Sequence, residues 1–318
     1  MFFSVIIPLY NKVPYVAKAI QSVLAQTYED YELIVMDDGS RDDSYSIALK
    51  TIAGHSHCHI YRQKNRGVSL ARNNGVALSQ GDYLCFLDAD DWWEPTFLEE
   101  MSELIEEFPD AGIYGTNYTI VNETKHKTRV APIGVENGFE KGYINYCQVY
   151  AKTLAMPLTS ISVAIPRIVF DEMKGFPQGI KLGEDFLLWI HIALKYKVVF
   201  LNKPLAYYNQ DVDSLHSGTH KKRYDPDAFM TFHFGQFADY EVKNHDLKML
   251  LDRVRVYTLM NFRKYNLYPE RVQKEISKVD FSNVESKYKF YYHAPYWIVN
   301  VYCRVLQLLS QIKQKLLK

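Results

Sequence analysis

Three carboxylates fall within four residues where an apolar run ends: Tyr83-Leu84-Cys85-Phe86-Leu87 passes directly into Asp88-Ala89-Asp90-Asp91. A short run of aliphatic and aromatic residues reads as a buried strand. Side chains alternate along a strand, so Asp88 and Asp90 share a side at its carboxyl end. Like charges held that close repel, and desolvating them is costly unless a cation or several donors satisfy them. Divalent Mg²⁺ or Mn²⁺ suits the pattern, because a hard cation uses one or two carboxylates and completes its shell with substrate phosphates. The same acids suit the start of a helix near Glu94-Pro95, where Asp and an early Pro are favoured. Capping explains one aspartate well and three poorly; on spacing alone both readings stand.

The elements that must position these acids alternate regularly. Residues 3–9 form an apolar strand in which Pro8 argues that pairing stops near the end. Tyr10-Asn11-Lys12 is a loop, and residues 13–26 carry helical spacing through Val16, Ala19, Ile20, Val23 and Leu24. Residues 31–36 form a second strand ending at Asp37-Asp38-Gly39-Ser40. Ser40 and Asp43 resemble a capping box for a helix through Ser44, Ile47 and Ala48. Residues 57–62 are a third strand, 67–79 a helix and 83–87 a fourth strand. This alternation predicts a parallel sheet with helices on both faces. Right-handed crossovers put every strand-to-helix loop on one edge, where ligands of such sheets bind. Tyr10-Asn11, Asp37-Asp38, Asn65-Arg66-Gly67 and Asp88-Ala89-Asp90 should therefore meet in one crevice.

Beyond a helix at 95–108, residues 111–121 read as a longer strand and 122–138 as a polar surface excursion. A strand at 160–165 closes at Pro166, and Gly175-Phe176-Pro177 is a loop. Gly183-Glu184-Asp185 opens an apolar helix running to about Lys195, with closing strands at 198–201 and 205–208. Strand signals stop after residue 216 and helical patterns rich in Tyr, Phe and basic residues follow. This predicts a domain over 1–216 and a helical C-terminal region over 217–318, with the boundary in 217–224.

Composition narrows the function. Lys plus Arg equals Asp plus Glu at 37 each, so there is no dominant nucleic-acid footprint. The 25 tyrosines suit surfaces part apolar and part wet, such as sugar sites and membrane interfaces. Cys58, Cys85, Cys147 and Cys303 stand without CxxC spacing, which fits a reducing compartment. No signal peptide is visible, and no run approaches the ~20 apolar residues of a spanning helix. The expected location is the cytoplasm or the inner face of a membrane.

Four blocks occur in order: Ser4-Val5-Ile6-Ile7-Pro8-Leu9-Tyr10-Asn11, Val35-Met36-Asp37-Asp38-Gly39-Ser40, Asn65-Arg66-Gly67-Val68-Ser69-Leu70-Ala71-Arg72-Asn73 and Phe86-Leu87-Asp88-Ala89-Asp90-Asp91. With Gly183-Glu184-Asp185 as a fifth, they resemble the family 2 inverting glycosyltransferases with the GT-A fold, over residues 1 to about 215. The resemblance implies an α/β, Rossmann-like, mostly parallel sheet with helices on both faces, followed here by the helical C-terminal region. It also implies site roles. Pro8, Tyr10 and Asp38 would hold the nucleobase beside Asn11, with Tyr10 on the ring and Asp38 accepting an imide N–H. Such a donor favours uridine, although deoxythymidine offers the same imide. Arg72 would reach the base or a phosphate, Asp88 the ribose, and Asp90 a Mn²⁺ or Mg²⁺ on the diphosphate. Asp185, beside Glu184, would take the proton of the acceptor hydroxyl in a single inverting displacement. The implied partners are a UDP-sugar donor and a glycan or polyprenyl-linked acceptor.

Plainer roles stand beside these. Tyr10 suits packing at a strand end, Asp37 and Ser40 suit a turn, Arg66 suits an ion pair, and Asp185 suits stabilisation of a helix dipole. Asp91 suits the helix cap. His55, His57 and His59 alternate on one strand face, which fits a solvated edge better than zinc because no Cys or acid has suitable spacing. His216 falls where some GT-A enzymes bring a loop over the diphosphate, as a metal or phosphate contact. In the tail, Ile298, Val301, Tyr302, Val305, Leu308, Leu309, Ile312 and Leu316 follow helical spacing, and no acid occurs after Glu285. Such a basic amphipathic helix suits an anionic membrane surface, or packing on its own domain or a second subunit. Two competing functions remain. A phosphohydrolase with an Asp-x-Asp nucleophile pair normally carries it on the first strand, not the fourth. A non-catalytic nucleotide-sugar-binding subunit predicts a broken base position, whereas Glu184-Asp185 is intact.

Overall fold

The computed structural model describes residues 1–122, 124–212, 225–299 and 301. Strand and helix alternate through β1 (Phe3–Leu9), α1 (Val16–Leu24), β2 (Tyr31–Asp37), α2 (Ser44–Thr51), β3 (Cys58–Arg62), α3 (Val68–Leu78) and β4 (Tyr83–Phe86). There follow β5 (Trp92–Trp93), α4 (Phe97–Glu107), β6 (Ala111–Asn122), β7 (Lys127–Val130), β8 (Lys141–Ile144) and α5 (Tyr146–Thr153). The unit closes with β9 (Val163–Pro166), α6 (Arg167–Glu172), α7 (Glu184–Ala193) and β10 (Lys197–Asn209). Contacts divide the chain into compact units Met1–Arg223 and Tyr224–Lys318.

Among the described residues one sheet runs in the order β3-β2-β1-β4-β9-β6-β10-β5, with β7 on β6 and β8 on β10. β3 to β4 are parallel, and every residue of β1 and β2 is buried, as expected of strands covered on both faces. Beyond β4 the sheet is mixed: β9 inserts antiparallel to both β4 and β6, whereas β6 and β10 pair parallel. α3 packs so closely on β1 that a Cβ on Gly75 would lie 2.6 Å from Ile6 Cγ2. That contact fixes Arg72 one turn earlier on the same helix.

Several sequence expectations change in detail. Pairing continues past Pro8 to Leu9, opposite Asp37, since proline removes one donor and leaves its carbonyl free. Ser40 and Asp43 form no capping box: Asp43 makes no side-chain cap, and Ser44 N–H donates instead to Asp42 Oδ1 at 3.1 Å. Residues 160–165 begin as a 3-10 turn at Ser160–Ser162, closed by reciprocal Thr159 and Ser162 hydrogen bonds, before β9 starts. The two closing strands are one strand, β10, which absorbs Pro204 through register shifts on either side of it. β3 begins at Cys58, so His55 and His57 precede it rather than lining its face.

The second unit contains α8 (Ala238–Glu241), α9 (His245–Lys264), α10 (Pro269–Ile276) and α11 (Ser286–His293). α9 starts where Asn244 Oδ1 accepts the Leu247 N–H at 3.0 Å, an N-cap. Its Val256, Leu259 and Phe262 pack on Val272, Ile276, Tyr291 and Tyr292. Buried Arg255 grips Glu241 at both oxygens, at 2.9 and 2.6 Å. The boundary expected at 217–224 and most of the tail helix expected from Pro295 lie outside the described residues.

Candidate active site

The register of the parallel strands brings three loops together. Leu9 O accepts the Asp38 N–H at 2.7 Å and Ile6 O accepts the Leu87 N–H at 3.1 Å. The segment 10–12 is thus placed between the 38–40 turn and the acidic end of β4. Pro8 stays buried within β1, whereas Tyr10 is 39% exposed and presents its ring outward. Asn11, in the left-handed region at φ 50°, bridges to the next loop. Its N–H donates to Ser40 Oγ at 3.1 Å and its Oδ1 accepts from Arg41 N at 2.8 Å. Asp37 is wholly buried; it accepts from Ser40 N and pairs with Arg62 Nε at 2.9 Å, the turn role expected of it.

Asp38 is cradled. Oδ1 accepts from Gln63 Nε2 at 2.7 Å and Arg66 N at 2.9 Å, and Oδ2 accepts from Gly67 N at 2.8 Å. The cradle needs glycine at 39: φ is +74°, and a Cβ would lie 3.0 Å from Asn65 N. Arg66 therefore serves Asp38 through its backbone.

At the end of β4 each aspartate has a different partner. Asp88 is 35% exposed at its side chain, and its Oδ1 lies 2.6 Å from Arg72 Nη2. Asp90 Oδ2 pairs with Lys12 Nζ. Asp91 is 2% exposed and its Oδ1 accepts the Asn209 N–H at 2.8 Å, tying the end of β10 to the acidic loop. The cap role expected for Asp91 is therefore corrected. Trp92–Trp93 intervene as β5, and α4 starts later, with Thr96 at its N-cap. Burial raises the Asp90 carboxyl above its ordinary value, opposed by Lys12 and reinforced by Asp88. Burial, then Asp90 and Asp88, push Asp91 up further.

Arg72 is 2% exposed, lies against the Phe176 ring at 5.0 Å, and donates through Nη1 to Glu184 Oε1 at 2.8 Å. Its guanidinium joins two carboxylates rather than reaching out, and Nε has no hydrogen-bond partner. Burial alone would lower the Arg72 pKa, but Asp88, Glu184 and Asp185 more than reverse that, so it stays charged. Gly183, in the left-handed region, turns the chain into α7, whose first turn carries Glu184 and Asp185. Asp185 Oδ1 accepts its neighbour's N–H, from Phe186, at 2.8 Å, and Oδ2 accepts from Ser160 Oγ at 3.3 Å. Burial raises Asp185, with Arg72 opposing; burial and then Asp185 raise Glu184 to about 7.

The donor set fits a divalent cation that also takes ligands from a substrate. Asp88 and Asp90 each leave one oxygen outside their ion pairs, and Asp90 and Asp88 add to burial in disfavouring the ionised form of Asp91. Among the described residues no three His, Cys, Asp or Glu side chains are placed to hold an ion by themselves. One or two carboxylates with phosphate oxygens is the arrangement Mg²⁺ and Mn²⁺ use. His216 lies outside the described residues.

Sequence reasoning missed Lys12, Ser160 and Asn209. Lys12 had a usable signal, being a cation in a loop already expected beside three acids. Asn209 had none, since 118 residues separate it from Asp91.

A family model described as "Glycosyl transferase family 2" matches residues 4–162, half of the chain. "Glycosyltransferase GlyA" of Streptococcus pneumoniae is 34% identical over 214 residues, 64% of this chain and 30% of that protein. The chain spans about a third of the length of the first curated relatives it matches. Among solved structures, Staphylococcus aureus TarS 1-349 in complex with UDP-GlcNAc superposes with a TM-score of 0.73 at 19% identity, over 95% of this chain and 88% of that one. The mannosyltransferase PcManGT from Pyrobaculum calidifontis, in complex with GDP-Man and Mn²⁺, gives a TM-score of 0.54 at 18% identity, over 87% and 73%.

Proposed function

The chain belongs to glycosyl transferase family 2 and has the GT-A fold, and we propose that it transfers a sugar from a nucleoside-diphosphate sugar to a hydroxyl of a glycan or polyprenyl-linked acceptor in cell-surface polysaccharide synthesis. One observation carries this reading: Arg72 joins Asp88, on the nucleotide side, to Glu184, beside the candidate base Asp185. Tyr10 stacks on the nucleobase. Asp38 Oδ2, which carries a single N–H from Gly67, takes the imide donor of uracil, so the donor is a UDP-sugar. Asp88 binds the ribose and Asn11 keeps the base loop in place.

Asp185 is the general base. It faces the acceptor hydroxyl from a first helical turn and takes its proton as the oxygen attacks the anomeric carbon from the side opposite the diphosphate. One displacement inverts configuration, so an α-linked donor yields a β-glycoside. Glu184 keeps Arg72 in place behind the base. Asp90, with Asp88 beside it, would hold a Mn²⁺ or Mg²⁺ whose chemistry is to neutralise charge on the departing diphosphate.

Residues 1–216 form the catalytic part in this reading, and 217–318 serve attachment. Among the described residues no helix is long and apolar enough to cross a membrane. Phe290 and Trp297 are more than half exposed and acids are absent after Glu285, which favours peripheral contact with the anionic inner face of a membrane.

Release of UDP from a panel of UDP-sugars with Mn²⁺, by wild type and Asp185→Asn, tests the proposal. Transfer predicts release by wild type for one or a few sugars, and an inactive variant that still binds UDP. Phosphate release without sugar preference would instead favour a phosphohydrolase and sink it. TDP- and GDP-sugars in the same panel test the uridine preference.

A further inference from the structure

The acidic end of β4 carries a cation of its own. Lys12, two residues beyond Tyr10, reaches across 78 residues of sequence to Asp90 Oδ2. Its backbone is rigidly seated: the N–H donates to Ser44 Oγ at 2.6 Å, and the carbonyl accepts from Tyr15 N and Val16 N at 2.9 and 3.0 Å. Lys12 and Asp90 are 14% and 17% exposed at their side chains, so the pair is largely withdrawn from solvent. Around it stand Asp88 and Asp91, and the nearby Arg72 is already divided between Asp88 and Glu184. One ammonium thus faces an excess of carboxylate.

We propose that Lys12 is a resident counter-ion that keeps Asp90 occupied until a divalent cation arrives with a nucleoside diphosphate, so that cation alone binds weakly and cation plus nucleotide bind together. The proposal rests on the reading of Asp90 as the cation's ligand. A free divalent ion must expel the ammonium and gains only one or two carboxylates in return. When diphosphate oxygens complete its shell, the expelled ammonium is left beside a new anion and keeps an ionic partner. Lys12 therefore couples the two ligands, and its removal favours the metal-only complex while weakening that coupling.

The test is direct binding of Mn²⁺ to the full chain, followed by the electron paramagnetic resonance signal of free Mn²⁺, with and without UDP. Wild type, Lys12→Met, Lys12→Gln, Lys12→Arg and Asp90→Asn are compared after thermal melts confirm folding. The expected result is that Lys12→Met binds Mn²⁺ alone about tenfold more tightly than wild type, the scale of one partly covered ion pair. UDP should then improve Mn²⁺ affinity less than it does in wild type, and Lys12→Arg should behave as wild type. Lys12→Gln gives the same reading if the methionine variant does not fold. Equal or weaker Mn²⁺ affinity in the uncharged variants, with Asp90→Asn still losing Mn²⁺, overturns the role of Lys12 alone. Unchanged Mn²⁺ binding in Asp90→Asn overturns both this role and the reading of Asp90 as ligand.

Discussion

Arg72 bridges Asp88 and Glu184, with Nη2 2.6 Å from the first and Nη1 2.8 Å from the second, inside a site where the guanidinium is almost wholly buried. Two separate parts of the chain, the end of β4 and the start of α7, are held by one side chain on α3. Removing it strands two carboxylates. Arg72→Met should lower stability by about 3–5 kcal/mol, the usual cost of breaking a buried pair from one side. Arg72→Lys should fall between, because one ammonium cannot make the planar two-sided contact. Urea unfolding of both, with the Arg72→Met/Glu184→Gln double variant recovering part of the loss, measures this.

Asp185 makes two modest hydrogen bonds, to Phe186 N and Ser160 Oγ, and has its proton affinity raised by burial. Asp185→Asn keeps the shape and removes the base. The transfer rate should fall about 10²- to 10⁴-fold, the range general-base catalysis contributes. UDP binding and the melting temperature should stay close to wild type, or the latter rise. A parallel loss of UDP affinity in calorimetry would assign Asp185 to binding instead.

The raised carboxyls also set pH dependence. A base must be ionised, so the transfer rate should rise with pH along a limb lying above the ordinary carboxylate range. Arg72 opposes the rise in Asp185, so Arg72→Gln should move that limb to higher pH. Stability should run the other way. Glu184, ordinarily 4.5, is raised to about 7, so between those values the folded chain holds a proton the unfolded chain has lost. Stability then falls as pH rises through that window. Melting temperatures from pH 4.5 to 7.5 should decline more steeply for wild type than for Glu184→Gln.

The convergence of Tyr10, Asp38 and Asp88 was legible because a parallel sheet with right-handed crossovers sends every such loop to one edge. What the alternation did not carry was the sheet beyond β4. β9 enters antiparallel between β4 and β6, and neither the hydrophobic run nor its length distinguishes the two directions. The partners of individual acids were illegible for the same kind of reason. Arg72 reads as a free cation in the sequence, and only the fold places Glu184, 112 residues away, against it. Lys12 and Asp91 show the opposite pattern. Their neighbourhood was foreseen, yet which charge satisfies which carboxylate depends on geometry that spacing does not contain.

Gly39 supports the Asp38 cradle through backbone shape. Gly39→Ala places a Cβ 3.0 Å from Asn65 N and 3.1 Å from Gln63 O at φ +74°. The strain should cost about 1–3 kcal/mol and displace the loop whose Arg66 and Gly67 N–H groups hold Asp38. UDP affinity should drop with it, by about tenfold on the scale of one lost hydrogen bond to a charged group. Calorimetric titration with UDP, alongside urea unfolding, checks both effects.

Asp91 separates charge from hydrogen bonding in the same cluster. Its Oδ1 accepts the Asn209 N–H, and its ionised form is disfavoured by burial and by Asp90 and Asp88. Asp91→Asn keeps an oxygen for Asn209 and removes one of three mutually repelling charges, so stability should hold or rise at neutral pH. Asp91→Ala leaves the Asn209 N–H without its acceptor and should cost about 1–3 kcal/mol. If the two variants melted alike, the link between β10 and the acidic loop would contribute nothing. A lower melting temperature for Asp91→Asn than for wild type would show that the charge, not the hydrogen bond, is what the fold requires there.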